Sequence, residues 1–184
     1  MLKRTFDIAL SFFMLLFFSW FLLLLWLVAA IDTGSGGIFR QTRIGRFAKP
    51  FTIFKFRTMH PETKAISSVG RFLRDSKLDE LLQLANVFIG DMSFVGPRPD
   101  IPGYYDKLEG EDRKILNLRP GLTSEASLKY FNEEALLASK ENPDDYNDNV
   151  IFPDKVRLNF EYYRNRSFWR DVKIIWRTVF ARGQ

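Results

Sequence analysis

Hydrophobic positions run without a charge from Ile8 to Ile31, as IALSFFMLLFFSWFLLLLWLVAAI. At about 1.5 Å per residue, such a helix is long enough for a hydrocarbon core of roughly 30 Å. The run exceeds the core of a secretion signal, and no small-x-small cleavage site follows it. DTGSGG, residues 32–37, then predicts a turn-rich exit. In GIFRQTRIGRFAKPFTIFKFRTM, apolar and polar positions alternate, predicting a short hairpin or extended ribbon around Lys49 and Pro50.

The remaining pattern is mostly helical. Residues 67–73 read as the first turns of a helix, and Leu78, Leu81, Leu82 and Ala85 recur at helical spacing through residue 87. VGPRPD predicts a rigid loop, because two prolines fix φ and remove two donors. Residues 108–118 predict a helix ending at Arg119-Pro120-Gly121, and residues 133–140 another, closed by a loop ENPDDYNDN. Near the end, Trp169, Val172, Trp176, Val179 and Phe180 share one helical face, with Arg170, Lys173 and Arg177 largely off it. That pattern fits either a helix lying flat at a membrane surface or one packed on the core.

Charge sharpens the picture of the first segment. Lys3 and Arg4 stand before the apolar run, and Arg40, Arg43, Arg46 and Lys49 stand after it. Lys and Arg favour the cytoplasmic side of a membrane, so both flanks belong there. A simple span satisfies one flank; a helix that enters and returns satisfies both. Ser19, near the middle, can help satisfy the backbone at the turning point. Residues 1–60 carry eight Lys and Arg against Asp7 and Asp32, and residues 155–184 carry eight against Glu161 and Asp171. Basic ends around an acidic middle point to an anionic partner, with a membrane favoured over nucleic acid.

Composition narrows the chemistry. The 184 residues include no cysteine and a single histidine, His60. Thiolate metal sites, disulfides and a histidine zinc site are excluded, and chemistry must rest on Asp, Glu, Lys, Arg and an oxygen-ligated metal. Ser76-Lys77-Leu78-Asp79 has capping-box spacing, with Ser76 as N-cap and Asp79 complementing the helix dipole. Asp79 and Glu80 also have basic company: Arg71, Arg74, Lys55, Arg57, Arg119, and Arg98 braced between Pro97 and Pro99. A helix terminus and guanidinium groups should hold Asp79 ionised, and the same groups attract phosphate. A carboxylate beside a bound phosphate can attack phosphorus, with Mg²⁺ the expected aid where anions meet.

RFLRDSKLDELLQLANVFIGDMSFVGPRPD closely resembles the signature of the monotopic phosphoglycosyltransferases, bacterial sugar transferases of the polyprenol-phosphate type. The likeness extends to the Lys3-Arg4 start with its apolar helix, IFRQTRIGR, PFTIFKFRTM and LRPGLT. It implies an α+β, mainly helical chain. Residues 1–32 would form a re-entrant membrane helix. Residues 33–184 would form a small cytosol-facing catalytic domain with interfacial amphipathic helices and a short β-hairpin. It further implies transfer of a sugar-1-phosphate from a UDP-sugar to undecaprenyl phosphate, with release of UMP, on the cytoplasmic face of the bacterial inner membrane. Asp79 would be the nucleophile and a Mg²⁺ ligand, and Glu80 its support. Arg98 with Pro97 and Pro99, and then Lys55 and Arg119, would hold phosphates. Partners would be membrane lipid and later glycosyltransferases of a glycan pathway, with no nucleic acid.

Two stretches depart from the family. At the helix break this chain has Ser19-Trp20 where relatives usually carry Ser-Pro. After LRPGLT it reads SEASLKYFNEEALLASKENPDDYNDN instead of the common Gly-Trp-Ala-Gln, so the sugar cannot be carried over. Glu125, Glu133 and Glu134 in that stretch are expected to be structural or solvated. Two other readings compete: a membrane-anchored binding module without catalysis, and a spanning glycosyltransferase that moves only the sugar.

Overall fold

In the computed structural model, residues 2–180 are described. The elements are α1 (Leu2–Phe17), α2 (Ser19–Thr33), β1 (Ile38–Ile44), β2 (Pro50–Phe56), α3 (Ser68–Asp75), α4 (Gln83–Ile89) and β3 (Ser93–Val95). They continue with β4 (Gly121–Thr123), α5 (Glu125–Lys129), α6 (Glu133–Ala138), α7 (Pro143–Tyr146), α8 (Phe152–Asn165) and α9 (Phe168–Phe180). The fold is mostly helical with short strands, as expected.

No single helix among the described residues is long and apolar enough to cross a membrane. Helices α1 and α2 meet the requirement only together, and they are bent by 67° at Phe18. The bend forms without proline. Phe18 N still donates to Met14 O at 2.9 Å, and Leu22 N to Phe18 O at 2.8 Å. The Ser19 hydroxyl donates to Leu16 O at 2.9 Å, as its place at the break suggested. Back-bonding of this kind bends helices. Trp20 projects outward together with Phe12, Phe13, Leu16, Phe17, Leu23 and Leu24. So large an exposed apolar surface marks a membrane or protein contact. The bent pair can enter a membrane without spanning it, and matches a monotopic anchor on the cytoplasmic face of the inner membrane.

The chain forms two compact units, one made of the segments up to Arg43 and Pro50–Met92, the other of Ile44–Lys49 and the segments from Ser93 onward. In the first unit, Gly34 ends α2 in the left-handed conformation, which glycine adopts without a Cβ penalty. β1 and β2 pair as the expected hairpin. Ser67 caps α3 by accepting from Gly70 N at 2.9 Å. Leu25, Ala29, Phe56 and Leu73 form the core, with Leu78, Leu81 and Leu82 against it. Residues from α2, β2 and α3 thus bury the segment that carries the acids.

In the second unit, β3 and β4 pair in parallel, Ser93 opposite Gly121 and Val95 opposite Thr123. Its core is Ile44, Tyr105, Ile115, Leu116 and Val156. Two expectations change here. Residues 108–118 form only a tight 3₁₀ turn over Asp112–Asn117. ENPDDYNDN is not a loop: Asn142 caps α7, with Pro143 in its first turn, and a π-helical turn Asn147–Ile151 leads into α8. Proline is tolerated at that position because the missing N–H would be unpaired anyway. On α9, Asp171 and Ile174 are buried while Trp169 and Trp176 are 78% and 62% exposed. The tryptophan face is therefore not packed on the core, which matches the interfacial alternative.

Candidate active site

The acids sit on a short 3₁₀ turn, Leu78–Leu82, that runs into α4. The single helix expected over residues 78–87 is therefore two pieces. Ser76 is not its N-cap. It ends α3 instead, and its hydroxyl donates to Phe72 O at 2.6 Å. Lys77 then takes the left-handed conformation at φ 59°, which costs a residue with a Cβ about 1–2 kcal/mol. That residue breaks the helical path and turns Asp79 inward while Glu80 N still bonds to Lys77 O at 3.2 Å.

Asp79 is only 7% exposed. Its Oδ1 is sealed from solvent and meets no hydrogen-bond partner, a costly state for a carboxylate oxygen. Glu80 is different: Lys55 Nζ on β2 lies 2.9 Å from its Oε1, and both side chains are mostly buried. The Asp79 carboxyl is pushed up to about 6, first by burial and then by the Glu80 charge. Lys55, Lys77 and Arg74 oppose this and limit it. The expectation that a helix terminus and arginines depress this carboxyl is thereby corrected. Burial outweighs the cations, because removing water penalises the charged form more than these partly screened charges stabilise it.

Asn86 has no counterpart among the sequence-based candidates. Fully buried on α4, it donates from Nδ2 to Thr52 O at 2.7 Å and accepts from Phe54 N at 3.2 Å. One amide side chain thus replaces a neighbouring strand along β2, next to Lys55. The signal in the sequence was a polar residue on the apolar face of the Leu81–Val87 run. Arg74 is held by Thr58 Oγ1 at 3.1 Å, and Arg57 lies over the Phe39 ring. Arg71 is exposed.

Arg98, Pro97, Pro99 and Arg119 belong to the second unit. There the two proline-arginine segments are pressed together. Gly121 N donates to Pro97 O at 2.8 Å, and Ser93 N to Pro120 O at 2.8 Å. A Cβ on Gly96 would fall 2.2 Å from Arg119 O, and one on Gly121 would fall 2.1 Å from Gly96 N, so both positions require glycine. Pro97, Arg98, Pro99 and Pro120 line one small cavity with Ile44, Tyr105 and Ile115. Glu125 and Glu133 are ion-paired with Arg170 and Lys155 at 2.7 and 2.6 Å, which makes them structural, as expected.

A family model described as bacterial sugar transferase matches residues 1–183. The uncharacterized sugar transferase EpsL of Bacillus subtilis is 32% identical over 188 residues, covering 97% of this chain and 85% of that protein. The UDP-glucose:undecaprenyl-phosphate glucose-1-phosphate transferase of Caulobacter vibrioides is 34% identical, over 96% of this chain and 68% of that protein. The undecaprenyl-phosphate galactose phosphotransferase of Salmonella typhimurium is 32% identical, over 97% of this chain and 40% of that protein. With a buried acid beside an ion-paired one, a bent apolar helix pair and a match along nearly its whole length, this chain belongs to the bacterial sugar transferase family.

Proposed function

We propose that this protein transfers a sugar-1-phosphate from a UDP-sugar to undecaprenyl phosphate and releases UMP. The observation that carries the reading is Asp79, buried, with Oδ1 unpartnered, beside the Lys55–Glu80 ion pair. A carboxylate with one oxygen sealed off and unpartnered is poorly stabilised as the anion, which makes it more basic toward phosphorus. At about 6 the carboxyl is still mainly ionised at neutral pH, yet more basic than an ordinary aspartate, which suits attack on phosphorus.

In the first step an Asp79 oxygen attacks the β-phosphorus of the UDP-sugar. The bond from that phosphorus to the oxygen bridging to the α-phosphorus breaks, and UMP leaves with that oxygen. The sugar phosphate stays on Asp79 as an acyl phosphate. In the second step a phosphate oxygen of undecaprenyl phosphate attacks the same phosphorus and expels the Asp79 carboxylate, leaving a polyprenyl diphosphate sugar. Glu80, held by Lys55, supports the acceptor step. Lys55 keeps ammonium donors for the phosphates, and Arg98 and Arg119 are further phosphate-binding candidates. Most of the work is positioning and charge neutralisation, as phosphoryl transfer requires.

Mg²⁺ fits this donor set. Among the described residues no cluster of three metal-ligating side chains exists, but Mg²⁺ commonly binds through one or two carboxylates and completes its shell with substrate phosphates and water. Asp79 is the carboxylate that would hold it. When bound there, Mg²⁺ would neutralise charge between carboxylate and diphosphate. The exposed apolar surfaces of α1 and α2 would place the site near lipid, where undecaprenyl phosphate and the pathway's later glycosyltransferases are found. Incubation with undecaprenyl phosphate and a panel of UDP-sugars tests the reading. UMP is the expected nucleotide product; release of UDP would mean sugar-only transfer.

A further inference from the structure

Thr58, just past the end of β2, is buried and meets α3 twice. Its carbonyl lies against Gly70. A Cβ there would fall 2.4 Å from Thr58 O, so the close approach requires glycine. Four residues on, and so on the same face of the helix, Arg74 Nε donates to Thr58 Oγ1 at 3.1 Å in a part-buried bond. The carbonyl sets where α3 lies, and the hydroxyl sets where its arginine points.

That bond engages one nitrogen of the guanidinium. Among the described residues, Arg74 Nη1 and Nη2 make no hydrogen bond. A planar fork of this kind matches two oxygens of a phosphate, and an arginine ordered beforehand loses less freedom on binding one. Arg74 is near enough for its charge to act on the Asp79 carboxyl. Lys55, earlier on the same strand, stands 2.9 Å from Glu80. One stretch of chain thus sets a cation at each acid: Lys55 directly at Glu80, and Thr58, through Arg74, toward Asp79.

We propose that Thr58 is a positioning residue, whose hydroxyl holds the Arg74 guanidinium with both terminal nitrogens toward the diphosphate of the UDP-sugar. The identity of that ligand rests on the transfer reading above. The role belongs to the hydroxyl and not to the bulk of the side chain, because the hydroxyl oxygen is the atom that meets Arg74.

The test uses the full chain in non-ionic detergent, with UDP as the probe titrated calorimetrically. Thr58→Val keeps the shape and removes the acceptor; Thr58→Ser keeps the acceptor and removes a methyl group. Thr58→Val is expected to bind UDP about tenfold more weakly, as for a charge-assisted hydrogen bond that is no longer aimed, and Thr58→Ser nearly as wild type. Added to Arg74→Gln, Thr58→Val should cause no further loss, because both changes act through one guanidinium. Wild-type affinity in Thr58→Val, an equal loss in Thr58→Ser, or losses that add to that of Arg74→Gln would each overturn the proposal. A measurement on the wild-type protein is independent of any variant's folding: saturating UDP should protect Arg74 from phenylglyoxal, and an unchanged rate of modification would equally overturn it. UDP binding needs no turnover, so a protein that showed the expected pattern yet released no UMP from UDP-sugars would count against the transfer reading and support the role of Thr58.

Discussion

Lys55 Nζ stands 2.9 Å from Glu80 Oε1, while the neighbouring Asp79 Oδ1 has no partner. The two adjacent acids are therefore unequal: one is tied to a strand, the other is buried with one oxygen unpartnered. Burial and the Glu80 charge raise the Asp79 carboxyl, and Lys55 pulls it down. Replacing either partner should move it in opposite directions. Lys55→Gln removes an opposing cation and should shift the pH dependence of Asp79 phosphorylation toward alkaline values. Glu80→Gln removes a like charge and should shift it toward acid. Single-turnover labelling across pH measures both; shifts in the same direction would contradict the arrangement.

The buried carboxylate should also cost stability. Its pKa rises from 3.8 unfolded to about 6 folded, so the stability conferred by protonation is fully present below about 3.8 and lost as pH rises through about 6. Conversion of that shift gives roughly 3 kcal/mol at high pH. Asp79→Asn should therefore be the more stable protein at pH ~8, with the gain vanishing well below pH ~6. Denaturant unfolding in the presence of EDTA reads this directly; a gain that does not change with pH would contradict it.

Asn86 links the site to the fold. Asn86→Leu would leave Thr52 O and Phe54 N unsatisfied beside β2, at a cost on the order of 2–5 kcal/mol. The loss should extend to activity, because the register that brings Lys55 to Glu80 is no longer fixed. Unfolding free energy and turnover should fall together, whereas Asn86→Leu with wild-type stability would mean the amide carries no structural role.

How far these features could be read from sequence depended on their range. The start of α3, the hairpin and the Ser19 break are local, and helical spacing, alternation and flank charge revealed them. Ser76 misled because its spacing to Asp79 fits a capping box, yet Lys77 adopts a left-handed conformation that ends one helix there. Asp79 burial depends on Leu25, Ala29, Phe56 and Leu73 meeting from three separate segments, which no local window contains. For that reason the direction of its pKa shift was missed. Asn142-Pro143 looked like a loop because proline breaks helices, but at a first turn it starts one. The pairing of Gly96 with Gly121 needed the parallel β3–β4 register.

The bend at Phe18 has a topological consequence. The chain contains no cysteine, so single cysteines at Thr5 and Ser35 can be labelled without background. With both ends of the bent pair on the cytoplasmic side, a membrane-impermeant maleimide applied from the periplasm should label neither. Labelling at position 5 alone would mean that the pair spans the bilayer despite its 67° bend.

The central claim is that Asp79 carries the transferred phosphosugar. The direct measurement is incubation with a UDP-sugar radiolabelled at the β-phosphorus, followed by gel separation and mapping of the labelled peptide. Wild-type protein should acquire label at Asp79 with release of UMP, and Asp79→Asn should acquire none while remaining folded. Label retained by Asp79→Asn, or located at another residue, would contradict the account.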